Sequence, residues 1–330
     1  MYEPQTYGAA LFLMIVTMLC WGSWANTMKF VPKWPFQLFY WDYVIGVVLV
    51  TILAGFTFGS FGDGPTSFMN NLKAAGATEI AYGIAAGIVF NIANLLLVAA
   101  ISTAGLAVAF PIGIGLALIV GVILNYVLAP AGNPALLFTG VALVAAAIVV
   151  DALAFKARGS ENPAQGARGI RLSVLCGLLM GSFFPLVTRA SSGPTGLGPY
   201  AVAFVFAIGV ALCSIPVNFY LMRRPITAEP PTSMGQYFAG GAREHLSGVA
   251  GGAIWGVGAI CSFVAAHAAI VGPAISYAMG QGATMISAAW GVFIWREFAG
   301  APAKARRLLA PMFILFLLGL GAIAIAPLYG

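Results

Sequence analysis

The stretch Gly272–Trp295, GPAISYAMGQGATMISAAWGVFIW, is long and apolar enough to cross a bilayer, yet it carries Ser276, Tyr277, Gln281, Thr284 and Ser287, side chains that hydrocarbon disfavours. A second stretch, Gly105–Val127, GLAVAFPIGIGLALIVGVILNYV, aligns with it without a gap: Gly105 on Gly272, Phe110 on Tyr277, Gly113 on Gly280 and Gly115 on Gly282. One helix therefore occurs twice in the chain. Where the later copy is polar, the earlier one has Ala109, Phe110, Ile114, Ala117 and Val120, so the copies share a shape and differ in chemistry. The polar face of the later copy is the strongest single pointer to function.

Outward from this pair the whole chain reads the same way. Of its 330 residues 61% are hydrophobic and only 7% charged, with a mean hydropathy of +0.97, against roughly 25% charged in soluble domains. Such a chain is a multi-pass membrane protein. A helix needs about 20 apolar residues to cross, and ten windows meet that length, near 8–29, 37–58, 79–100, 105–127, 135–155, 170–190, 199–221, 247–268, 272–295 and 308–328. None alternates in the period-two manner of a membrane barrel strand, so the expected fold is all-α, an integral membrane bundle of ten transmembrane helices. MYEPQTY ahead of the first window has no basic run, which predicts an uncleaved first helix acting as its own insertion signal. Cys20, Cys176, Cys213 and Cys261 lie far apart in apolar runs, a spacing that suits packing rather than zinc or redox chemistry.

Loop charge sets an orientation. All but Lys73 and Arg189 of the 15 lysines and arginines fall in the connections after the first, fifth, seventh and ninth windows. By the positive-inside tendency those loops are cytoplasmic, which puts both termini outside a cell (inner) membrane. The formal charge of +6 thus reports topology and not a nucleic-acid partner. Gly83 and Gly87 repeat as Gly248 and Gly252, Phe90 falls on Trp255, and Gly22-Ser23-Trp24 matches Gly181-Ser182-Phe183. Three helix pairs in the same order imply two copies of a five-helix unit. An odd number of helices inverts the second copy in the membrane, the plan of many secondary transporters. The expected division is a first five-helix repeat over 1–155, a polar, Gly-rich cytoplasmic linker over 156–169 and a second, inverted repeat over 170–330. The polar stretch Arg223–His245 reads as a connector beside the cytoplasmic mouth.

Several chemistries are excluded. No lysine follows a glycine, so there is no phosphate-binding P-loop, and no HExxH, GxSxG or paired-cysteine motif occurs. The expectation is no enzyme, no cofactor and no metal site, with energy drawn from an ion gradient or the solute's own gradient. Intramembrane acids are functional candidates by default. Asp42, inside the second window, is the proton-coupling candidate ahead of Asp151 in the fifth; for both, pairing with Lys29, Lys33 or Lys156 is the structural alternative. Asn91 and Asn94 share one face of the third window, as do Tyr277, Gln281 and Thr284 in the ninth. Carboxamides and phenols match a neutral solute rich in hydroxyl, amide or ring nitrogen, and bonding between helices is their other use. Trp21, Trp24 and Trp255 lie inside their spans rather than in the interfacial belts, where an indole can stack on a sugar face or flat heterocycle and donate its N–H.

Trp41-Asp42-Tyr43 followed by Phe56-Thr57-Phe58-Gly59 and Gly62, together with Ile286-Ser287-Ala288-Ala289-Trp290-Gly291-Val292-Phe293, Arg296 and Glu297, resemble the plant-type ureide permeases. They are similar also to the bacterial glucose/ribose porters, both within the drug/metabolite transporter superfamily. The resemblance spans the chain and implies a ten-helix, five-plus-five inverted repeat, alternating access and proton-coupled uptake of a small neutral solute, which in the ureide permeases is allantoin and related oxo-heterocycles. It maps the family acid beside the second-helix tyrosine onto Asp42. Plant ureide permeases carry a long cytoplasmic segment with a nucleotide-loop-like sequence between their halves; the linker here is short and has none. That departure keeps a sugar open as the substrate.

The leading expectation is a proton-coupled importer of a small neutral polar solute, a ureide or nucleobase-like heterocycle ahead of a monosaccharide. Trp21, Trp24, Asn91, Asn94, Trp255, Tyr277, Gln281 and Thr284 would contact the solute and Asp42 would carry the proton, or sodium in its place. A drug or metabolite exporter and a non-transporting membrane subunit are the remaining alternatives. Nothing in the sequence sets an oligomeric state.

Overall fold

Glycine, by removing a side chain where two helix backbones meet, sets the packing of this bundle. The computed structural model describes residues 1–61, 67–159, 166–225 and 230–329. Gly62, positions 160–165 of the expected linker and positions 226–229 of the Arg223–His245 stretch lie outside the described residues. Among the described residues all regular structure is helical: α1 Tyr7–Ser23, α2 Phe36–Phe56, α3 Phe68–Ala74, α4 Ala77–Ala104, α5 Leu106–Leu128, α6 Pro134–Ala157, α7 Gly166–Ala190, α8 Pro199–Arg223, α9 Met234–Phe238, α10 Ala242–His267, α11 Pro273–Gly280, α12 Ala283–Ala289 and α13 Ala303–Ile325. Short 3₁₀ turns extend α1 over Trp24–Phe30 and α13 over Ala326–Tyr329. Local signals explain several starts. Thr6 caps α1 by accepting from the Ala9 N–H, and Asn133 caps α6 with Pro134 at its first position.

Nine helices among the described residues are long and apolar enough to cross a membrane. The stretch 272–295 departs from the unbroken span expected of it. It runs as α11, a tight turn at Gln281–Gly282, α12 and a π-helical turn over Trp290–Ile294. The turn is closed by bonds from the Gln281, Gly282 and Thr284 N–H groups to carbonyls three residues earlier. Gly280 and Gly282 flank it, and each lacks a side chain where Trp21 and Met18 pack from α1. Glycine is among the weakest helix formers, so the helix breaks where α1 presses on it.

The twin stretches start alike. Gly105 opens α5 with φ 77° and ψ 161°, and Gly272 opens α11 with φ 76° and ψ 167°, a region that glycine enters readily and other residues do not. Packing follows the same exchange. α2 meets α10 where Gly46 faces the Val249 carbonyl and Gly252 faces the Tyr43 carbonyl, while α4 meets α8 where Gly87 faces the Phe206 carbonyl and Gly209 faces the Ile84 carbonyl. α6 and α13 cross at Gly140 and Gly319, each set against the other's carbonyl oxygen. α7 packs on α4 and α5, and α1 packs on α10, α11 and α12.

Candidate functional site

A cavity of about 490 Å³ lies between α1, α2 and α10 and is lined by Leu13, Val50, Leu53, Ile260 and Val264 among others; it offers a polar solute little to bond. A smaller cavity of about 220 Å³ differs in kind, with Trp21, Trp24, Phe90 and Trp255 among its aromatic walls and Asn94, Gln281, Thr284 and Ser287 as its polar groups. Trp21 stacks on Trp255 at 5.8 Å between ring centres, and Phe90 lies 4.4 Å from Trp255. The Trp21 N–H donates to the Trp255 carbonyl at 3.2 Å, which fixes the pair and leaves ring surface as its offering. Opposite the polar groups, α5 contributes Phe110 and Ile114.

Two carboxamides differ in how they are held. Asn94 Nδ2 donates to the Tyr40 hydroxyl at 3.2 Å, and Tyr40 in turn donates to Asn91 Oδ1 at 2.7 Å. That relay uses one of the two N–H groups of Asn94, whose side chain lines the cavity. Gln281 stands at the turn between α11 and α12; its backbone carbonyl accepts from Thr284 Oγ1 at 2.9 Å, and its side chain, 8% exposed, lines the cavity and makes no side-chain hydrogen bond among the described residues. Asn91 and Tyr277 sit one layer behind. Asn91 is fully buried and also accepts from Ser214 Oγ at 3.1 Å. Tyr277 is fully buried and donates to the carbonyls of Ala117 at 3.0 Å and Met180 at 3.4 Å.

The cavity has a neighbour on the side of the basic loops. A second space of about 200 Å³ shares Ala25, Phe110, Thr284 and Ser287 with it and adds Asn26, Lys29, Asp151, Trp295 and Glu297. Glu297 joins three elements there: Lys29 Nζ lies 2.8 Å from one carboxylate oxygen and Arg158 Nη1 3.3 Å from the other. Arg296 before it takes a left-handed backbone conformation, φ 51°, which a bulky residue rarely adopts and which turns the chain toward this cluster. On the opposite side rings pack between this cavity and a further space of about 150 Å³ lined by Phe184, Thr188, Phe263 and His267 among others. Phe184 packs on Tyr277 at 5.2 Å and on Phe263 at 5.5 Å, and Phe206 on Phe263 at 5.7 Å.

Asp42 is elsewhere. It is 2% exposed and lines neither space. Its carboxylate lies 3.0 Å from His245 Nδ1 and accepts from the Tyr237 hydroxyl at 2.7 Å. Burial, and then the bond to Asp42 and its charge, push the Tyr237 phenol above its ordinary value.

The ureide permease family model matches residues 39–169 and 168–326. The chain belongs to the ureide permease family. Among curated relatives, Ureide permease 1 of Arabidopsis thaliana is 22% identical over 98% of each chain, and Ureide permease 5 of the same plant is 21% identical over 97% of this chain and 94% of its own. A solved crystal structure resembles it in fold, with a TM-score of 0.62 at 18% identity over 96% of each chain. Ureide permeases are transporters and not enzymes, and this member is a multi-pass membrane protein built for transport.

In this permease six of the expected solute contacts, Trp21, Trp24, Asn94, Trp255, Gln281 and Thr284, meet at one cavity; Asn91, Tyr277 and Asp42 lie off it. Sequence reading missed Tyr237 and His245 as partners of Asp42. One local signal was present, the Ser-x-x-Gln pattern of Ser233 and Gln236, which forms a capping box at the start of α9 and so marks that loop as ordered.

Proposed function

We propose that the protein is a proton-coupled permease importing a small neutral heterocycle of the ureide or nucleobase type. The observation that carries this reading is the meeting of two carboxamides, Gln281 and Asn94, with the Trp255 and Phe90 rings at one cavity. A ureido or lactam group presents N–H donors and C=O acceptors in one plane, so an amide side chain meets both while the rings cover the face. Asn91 and Tyr277 serve from behind the wall, holding Asn94 and the broken helix in place. Asp42, as a carboxylate–imidazole pair with His245, is proposed to take up the coupling proton and to act through the α2–α10 contact, because it does not touch the solute space.

The proposal includes two inverted repeats, 1–155 and 170–330, joined by the 156–169 linker, with the basic loops cytoplasmic, both termini outside and alternating access between the repeats. The matched backbone of Gly105 and Gly272, and the exchange of α2–α10 contacts for α4–α8 contacts, support it. The test is uptake into proteoliposomes of labelled allantoin, uracil, glucose and ribose, with and without an inward proton gradient. Allantoin or uracil should accumulate under the gradient and be displaced by the other. Sugar uptake with neither heterocycle carried would replace this reading by the monosaccharide one, and outward flux driven by the same gradient would replace it by an exporter.

A further inference from the structure

Asp151 is the acid left unused. It lies in α6, is 6% exposed, and its Oδ1 is buried without a hydrogen-bond partner. Buried polar atoms almost always find partners, so an orphaned oxygen beside a cavity points to something that comes and goes. The space it lines adjoins the solute cavity, the two sharing Thr284 and Ser287 in their walls.

The surrounding charges narrow what it binds. Lys29, on the turn after α1, and Glu297, after α12, line the same space, but Lys29 is already 2.8 Å from Glu297, and Arg158 at the end of α6 is on Glu297 as well. α5 carries no acidic or basic residue, and the charges of α13, Lys304, Arg306 and Arg307, lie within its first five residues, beside Ala305, which packs with Ala154 and Phe298. Among the described residues no group of three His, Cys, Asp or Glu side chains forms a metal site. A lone carboxyl oxygen with neither a cation partner nor a cage of further ligands fits a proton.

We infer that Asp151 is a second proton-binding carboxyl, placed on the solute route itself, where it exchanges a proton with the side of the basic loops. The inference rests on the transport reading above. Loss of the proton leaves a carboxylate in the same space as Glu297, and the two compete for Lys29. Drawing Lys29 from Glu297 loosens the tie between the turn after α1 and the end of the broken helix, so proton release and movement of the two copies are linked.

Two measurements test it. In the purified full-length protein, dicyclohexylcarbodiimide, which reacts with protonated carboxyls in apolar surroundings, should label Asp151 increasingly as pH falls, read by peptide mass spectrometry. In proteoliposomes, the ratio of allantoin uptake with and without an inward proton gradient should fall to about one in Asp151→Asn and recover in part in Asp151→Glu. Absence of pH-dependent labelling at Asp151 overturns the inference. So does an Asp151→Asn protein that keeps the wild-type ratio, or wild-type uptake that responds to a sodium gradient instead. If the wild type carries no heterocycle, the substrate reading fails, and the labelling alone decides for or against Asp151.

Discussion

Replacing Gln281 with alanine should weaken solute binding about tenfold and leave the fold as stable as before. The side chain makes no hydrogen bond to a described residue, while the backbone bonds of the Gln281–Gly282 turn and the Thr284 hydroxyl bond to the Gln281 carbonyl do not depend on it. A neutral hydrogen bond contributes a net ~0.5–1.5 kcal/mol, and a carboxamide facing a ureide plane makes two. The loss is then about 1–3 kcal/mol, and at about 1.4 kcal/mol per tenfold this corresponds to a rise in Kd of about 5- to 150-fold. The lower part of that range is expected because a cavity of about 220 Å³ has room for water to replace the lost amide.

The assay is quenching of tryptophan fluorescence on titration with allantoin, since Trp21, Trp24 and Trp255 line the space, with Tm followed on the same samples. Asn91→Ala is the contrast. Asn91 is fully buried and accepts from both Tyr40 and Ser214, so its removal should cost about 1–3 kcal/mol of stability and show first in Tm. A Gln281→Ala protein with wild-type Kd, or one whose Tm falls as far as that of Asn91→Ala, would refute the assignment of a free, solute-facing carboxamide.

Gly252→Ala places a methyl group against the Tyr43 carbonyl, where only backbone can give way; a destabilisation of about 1–3 kcal/mol is expected, read as lower Tm and less monodisperse protein on size exclusion. Tyr237→Phe should flatten the alkaline limb of the stability profile. Because the folded phenol ionises above the ordinary value of 10.0, its contribution is complete below about pH 10, where the unfolded tyrosine begins to ionise, and is lost as pH rises through the folded value. A wild-type and a Tyr237→Phe protein with parallel Tm profiles above pH 10 would contradict this.

The all-helical membrane fold was legible because the apolar windows are long enough to cross a bilayer, and two of the glycines that marked the repeat, Gly87 and Gly252, sit where backbones touch. The break at Gln281 was not legible as a break. Its cause is Trp21 and Met18 pressing from α1, a tertiary contact that the local pattern Gly-Gln-Gly only permits. Of the candidate site, residues on the inner face of a helix were recoverable from spacing, as with Asn94 and Gln281, but spacing does not separate the face of a cavity from the layer behind it. Asn91 lies only three residues from Asn94 and is buried by the Tyr40 relay. His245 and Tyr237 reach Asp42 across a long polar connection, and no periodic pattern reports a contact of that range.

The twin stretches bear on how the proposed cycle would be biased. Phe110 and Tyr277 are equivalent positions, yet Phe110 lines the solute space while Tyr277 is sealed behind Phe183 and Phe184 with its hydroxyl on the Ala117 and Met180 carbonyls. In an inverted pair, alternating access exchanges the conformations of the two copies, which would bring Tyr277 to the cavity and bury Phe110. The exchange would not be energetically neutral, because opening the Tyr277 side breaks the bond its one hydroxyl proton shares between two carbonyls, whereas opening the Phe110 side separates ring contacts and loosens the half-exposed ion pairs of Glu297, each worth about 0–1 kcal/mol. In the proposed cycle the phenol that distinguishes the later copy would therefore favour the state seen here, and a solute that bonds to Tyr277 in the opposite state would offset that preference. Solute binding and reorientation are then linked through one hydroxyl group that the earlier copy lacks.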